Sequence, residues 1–148
     1  MKPIVIVAAA LLGVVPAAAL AESAENYIKY RQGVMKAIGG HMGASTQIVR
    51  GRVSPEGHLS MHAQALADLN KDLTSLFPEG SDFGETEAKE EIWDNWEAFG
   101  KAAKQSQQAT ANFAAAVAEG DAEKIAASHR QVGKACKACH EDFRQKDE

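Results

Sequence analysis

Four stretches of the chain carry apolar positions at alternating steps of three and four residues. The first runs Ile28, Arg31, Met35, Ile38, Met42, Ser45 and Val49, and the second Leu59, His62, Leu66, Leu69, Leu73 and Leu76. The third runs Ile92, Trp96, Phe99, Ala103, Ser106, Thr110, Phe113 and Val117, and the fourth Ile125, His129, Val132, Cys136, Cys139 and Phe143. Steps of this kind place one face of a helix toward a shared interior. β-Branched alternation is scarce, so the pattern predicts an all-α fold, an antiparallel four-helix bundle.

Local signals set the expected boundaries. Ser54-Pro55-Glu56 reads as an N-cap followed by proline at the first helical position. Pro78, Gly80 and Gly84 make 77–87 the longest loop, with Thr86 as a cap for the third helix. Gly120 ends that helix and Asp121 caps the fourth. Gly39-Gly40 interrupts the first helix at a propensity cost of about 1–2 kcal/mol. A kink and the close approach of a neighbouring helix or flat ligand both explain that pair.

Ahead of these stripes the chain opens with Met1-Lys2, an apolar run from Ile4 to Val15, and Pro16. Ala19-Leu20-Ala21 then gives the small-x-small pattern of a cleavage site, and Glu22 and Glu25 end the apolar run. Residues 1–21 therefore read as a signal peptide, too short to span a bilayer comfortably, with one domain over 22–148. No later segment is apolar enough to act as an anchor. Export of this kind places the mature chain in a periplasm.

The sequence has 148 residues and a formal net charge of −4. Removing 1–21 takes away Lys2 and no acid, which leaves 15 basic against 20 acidic side chains, or −5. That balance argues against nucleic acid as a partner. The acids concentrate in 79–97, and Lys134, Lys137, Arg144 and Lys146 gather near the end of the chain. A redox partner with an acidic face could approach the latter, although a plain solvated surface explains it as well. The only two cysteines, in an exported chain, must be oxidised, metal-bound or covalently modified.

They stand in Cys136-Lys137-Ala138-Cys139-His140, the C-x-x-C-H signal for attachment of a c-type haem. Two thiols must add to two vinyl groups on one porphyrin edge, and the next histidine must reach the iron. On a helix these three side chains share a face. A redox-active C-x-x-C pair belongs at a helix start, where a thiolate is stabilised, and this pair lies late in a helix. A structural zinc site needs four ligands, and no second cysteine pair exists.

The segment CKACHEDFR, residues 136–144, near the end of an exported helical chain, resembles the class II c-type cytochromes, the cytochrome c prime family with its low-spin relatives. KYRQGVMKAIGGHMG, residues 29–43, and FPEGSDFGETEAKEEIW, residues 77–93, are similar to that family's first helix and to its loop into the third. The resemblance implies a four-helix bundle with one covalent haem c, a periplasmic location, and often a homodimer. It implies Cys136 and Cys139 as thioether anchors and His140 as the axial iron ligand. Arg144 falls at the family's proximal arginine, near the haem edge, while a surface cation at a helix C-terminus accounts for it equally. Arg31 and Gln32 match the family's Arg-Gln and by resemblance contact the haem propionates. An arginine on an apolar stripe needs an anion or equivalent partner, and an interhelical salt bridge is the competing explanation.

Met35 lies one turn beyond Arg31, at the position that faces the distal side of the iron in the family. If its thioether reaches the metal, the site is six-coordinate His/Met and suits an electron carrier. If it only packs, the iron is five-coordinate and open to nitric oxide or carbon monoxide. Met35, Lys36 and the continuation to Gly39 look more like the low-spin branch, and ligation is the reading favoured here. Met42 reads as core filler and Met61 falls off its stripe. His58 and His62 have the i, i+4 spacing of a two-ligand metal site but no acidic third ligand of the H-E-x-x-H kind, so a metal is not the expected reading there. His129 lies about three turns from His140, too far to be the opposite axial ligand. Trp93, Trp96, Phe99 and Phe113 are expected in the core, with Phe77 and Phe83 closing the haem edge. No distal His/Arg pair suited to peroxide cleavage is present, so a carrier or gas-binding module is expected rather than an enzyme.

Overall fold

The computed structural model describes residues 17–145, with side chains from residue 24; residues 1–16 of the expected signal peptide and Lys146 lie outside the described residues. Helix α1 spans Ala17–Val49, α2 His58–Leu69, α3 Glu91–Asp94, α4 Trp96–Glu119 and α5 Ala122–Phe143, with a 3-10 turn at Leu73–Leu76. The long helices form the expected bundle, in which α4 packs on both α5 and α2, and α2 on α1. Only Gly120 and Asp121 join α4 to α5, which forces those two helices antiparallel.

The predicted faces are the buried ones, with two apolar clusters along the axis. Ile38, Leu66, Phe113 and Val132 form one, with Met42 packed against it. Leu76, Phe77, Ile92, Phe99 and Phe143 form the other. In the second cluster Phe99 stands edge-on to Phe77 at 4.7 Å and to Phe143 at 5.4 Å between ring centroids. Such geometry sets the positive ring edge against a negative face.

Asp121 caps α5 as expected, its carboxylate accepting from the Glu123 and Lys124 backbone N–H groups. Gly120 closes α4 in left-handed backbone at φ 77°. Several other expectations are corrected. Ser54 does not cap α2. The helix starts at His58 behind Gly57, whose φ of 72° ends a turn begun at Pro55 and cannot belong to a right-handed helix. The third helix is not continuous, because Asn95, at φ −130° and ψ 54°, separates the single turn α3 from α4. That break swings Trp96 out of the core, leaving it 45% exposed. The helix-free stretch after Leu76 reaches residue 90 rather than 87. Thr86 caps nothing; its hydroxyl takes hydrogen bonds from Arg31 and from the Ala88 backbone. Through Gly39-Gly40, α1 runs uninterrupted, and a Cβ at either would meet no protein atom within 4 Å, so no close approach of a neighbouring helix explains the pair. Among the described residues no helix is long and apolar enough to cross a membrane.

Candidate cofactor site

The site starts from a polar interruption on the apolar face of α1. Arg31 is 3% exposed, so each of its N–H groups needs a partner. Its terminal nitrogens donate to Leu76 O, Ser81 Oγ, Ser81 O and Thr86 Oγ1, and its guanidinium stacks over Phe77, 4.6 Å from the centroid. Gln32 beside it donates to Glu85 O at 2.8 Å. The two residues thereby tie the 76–86 segment to α1. None of the Arg31 hydrogen bonds goes to a carboxylate, so the interhelical salt bridge is not what holds it.

The same segment is fastened at its far end to α5. Ala88 and Arg144 form an isolated antiparallel bridge, with Lys89 N donating to Phe143 O and Gln145 N to Glu87 O. The Arg144 Nε also pairs with the Glu87 carboxylate. Thr86-Glu87-Ala88 therefore stands as a rim between α1 and the end of α5.

Beneath the rim, α1 and α5 make little contact, and a cleft of ≈ 470 Å³ opens between them. Cys136, Cys139, His140, Arg144, Arg31, Gln32 and Met35, all seven residues picked out from the sequence, line it. The i, i+3, i+4 geometry of α5 puts the two thiols and the imidazole on one face, as the motif requires. Met35 comes from α1, partly buried and packed against both apolar clusters. Leu73, Ile92, Phe99 and Phe143 supply a mainly apolar floor.

Electrostatics separate this site from a dithiol redox centre. Burial pushes the Cys136 thiol up, partly offset by the neighbouring Ser106 hydroxyl. Burial, then Cys136 and Asp142, push Cys139 up to about 11. Redox-active pairs show the opposite displacement. The His140 pKa is held below its ordinary value by partial burial and by the Arg144 charge, with Glu87 pulling the other way. A neutral imidazole is the ligating form. Two adjacent thiols, a histidine held toward its neutral form and a mainly apolar floor fit a covalently attached porphyrin.

Other expectations divide. Phe77 lines the cleft, but Phe83 is 56% exposed and lies outside the lining, so it closes no edge there. His129 is remote, edge-on to Phe113 and hydrogen-bonded to Ser45 and Thr46. His41, His58 and His62 are also outside the lining. Sequence reasoning missed Glu87 and Ser106. Ser106 stood on the third stripe as a polar residue on a buried face, and it donates to the buried Asn70 at 2.8 Å. Glu87 carried no signal, because its partner is 57 residues away.

Residues 26–144 match the family described as Cytochrome C'. A cytochrome c' from Rhodospirillum rubrum is 35% identical over 97% of this chain and 99% of its own length. A cytochrome c-556 from Agrobacterium tumefaciens is 34% identical over 80% of this chain and 97% of its own. Among solved structures, a nitric oxide complex of a mutant cytochrome c prime from Alcaligenes xylosoxidans superposes with a TM-score of 0.78 at 29% identity, covering 84% of this chain and 97% of that one.

Proposed function

Since the chain belongs to the cytochrome c' family and carries one covalent haem c, we propose that it is an exported electron carrier with His140 and Met35 as the two axial iron ligands. The haem supplies a one-electron Fe(III)/Fe(II) couple. Cys136 and Cys139 anchor it, and the neutral His140 imidazole donates from α5. Met35 brings a soft thioether from α1 into the same cleft, and that is the observation that carries the reading. A thioether ligand favours the reduced state and raises the potential. The apolar floor of Leu73, Ile92, Phe99 and Phe143 keeps water from the metal. Arg31 and Gln32 hold the rim, and both line the cleft in which the propionates would lie. Residues 1–21 are removed on export, and the redox partner is a periplasmic protein. The similarity to a cytochrome c-556 supports this branch.

A second reading rests on the likeness to a relative solved with nitric oxide. If Met35 only packs, the iron is five-coordinate and binds that gas or carbon monoxide. The absorption spectrum of the haem-loaded protein decides between them. Ligation predicts a sulfur-to-ferric charge-transfer band that Met35→Leu abolishes, with a change to high spin. A high-spin wild-type spectrum that shifts on adding nitric oxide overturns the electron-carrier assignment and supports gas binding.

A further inference from the structure

Three of the five histidines meet away from the cofactor cleft, where α1 crosses α2. His41 Nδ1 and His62 Nδ1 lie 2.9 Å apart, and both rings are half-buried. His58, one turn before His62 on α2, is exposed, its ring centroid 6.2 Å from that of His62 in an edge-on arrangement. From this geometry we infer a second metal site, in which His41 and His62 chelate a divalent ion of the copper and nickel type and His58 turns in as third ligand.

Spacing and donor type together favour one class of metal. Imidazole nitrogens bind such ions at about 2.0–2.1 Å, so two donors 2.9 Å apart subtend about 90° at a shared ion. That angle belongs to tetragonal or octahedral coordination, whereas tetrahedral zinc needs wider spacing. All-imidazole donors suit Cu(II) and Ni(II), with Cu(II) favoured by the usual affinity order. The proton now shared between the two Nδ1 atoms moves to the Nε2 of its own ring, so neutral rings lose no net proton.

Two of the three donors come from different helices. Among the described residues no three of these groups are already arranged around one point: the hydrogen-bonded His41 and His62 rings must turn their Nδ1 atoms toward a common ion, and the exposed His58 must swing in. The H-x-x-x-H spacing of His58 and His62 shows in the sequence, but His41 is 21 residues from His62 and becomes a neighbour only through the packing of α1 on α2. In the haem-loaded protein His140 is already committed to iron.

The test titrates Cu(II) into mature, haem-loaded protein, following heat and the copper electron paramagnetic resonance signal. We expect one saturable site per chain with nitrogen hyperfine structure. His41→Gln and His62→Gln should each weaken it by at least about tenfold, the loss typical of even an outer-shell partner. His58→Ala should weaken it also, and being exposed leaves folding intact. An unchanged haem spectrum shows that each variant is folded. Absence of a saturable site, or an affinity that none of the three substitutions changes, overturns the proposal. An effect of His41 and His62 without one of His58 overturns the third ligand.

Discussion

Replacing Arg31 by alanine takes the Arg31 donor from Leu76 O and Ser81 O, leaves Thr86 Oγ1 with the Ala88 N–H alone, and removes a cation stacked on Phe77. Buried acceptors left unsatisfied cost about 1–3 kcal/mol each, so the loss in urea-monitored stability should be at least about 2 kcal/mol. The rim should also loosen, seen as faster amide exchange over 81–88. Glu87→Gln acts differently. Its pairing with Arg144 is exposed, so stability should change by less than about 1 kcal/mol. At the haem, Cys139→Ser should leave a single thioether, detectable as a shifted pyridine haemochrome band.

Helix ends decide how the elements meet. Asp121 satisfies two backbone donors at the start of α5, the helix that bears C-x-x-C-H. Asp121→Ala should therefore lower the melting temperature, at a cost of about 1 kcal/mol, with no change in the visible spectrum. The break at Asn95 has a structural use. It lets α3 turn Ile92 into the cleft while α4 takes its own register, with Trp93 Nε1 bonded to Pro78 O. No proline or glycine marks that break. The heptad count ran straight through Asn95, which is why Trp96 was expected inside.

For the molecule as a whole, the pH dependence of stability follows from a buried base. His129 is 8% exposed; burial and the Arg50 charge hold its pKa below the ordinary value, against a Met42 backbone contact that raises it. The Ser45 and Thr46 hydroxyls both donate to Met42 O, so His129 Nε2 is left as donor to their oxygens. Well above about pH 6.5 the ring is neutral in folded and unfolded chains alike and contributes no slope. As pH falls below that value the unfolded chain takes up the proton first, and stability declines. His129→Gln should flatten part of that decline in urea titrations of the holoprotein, leaving the share from His62, whose pKa is displaced in the same direction.

The helical stripes, the α4–α5 junction and the C-x-x-C-H face were legible because each depends on neighbours within a few residues, where helix geometry fixes the arrangement. The stripe of α1 turned Arg31 and Met35 inward, and the family resemblance, not the periodicity, implied their place at the cofactor, where both line the cleft. Other features were decided only by packing. The partners of Arg31 are carbonyls and hydroxyls 45–55 residues away, and Glu87 meets Arg144 across 57. His41 and His62 become neighbours because α1 lies on α2. Periodicity tells which way a side chain faces; it carries no information about what another segment brings to that face, because such contacts are fixed by burial of the chain as a whole.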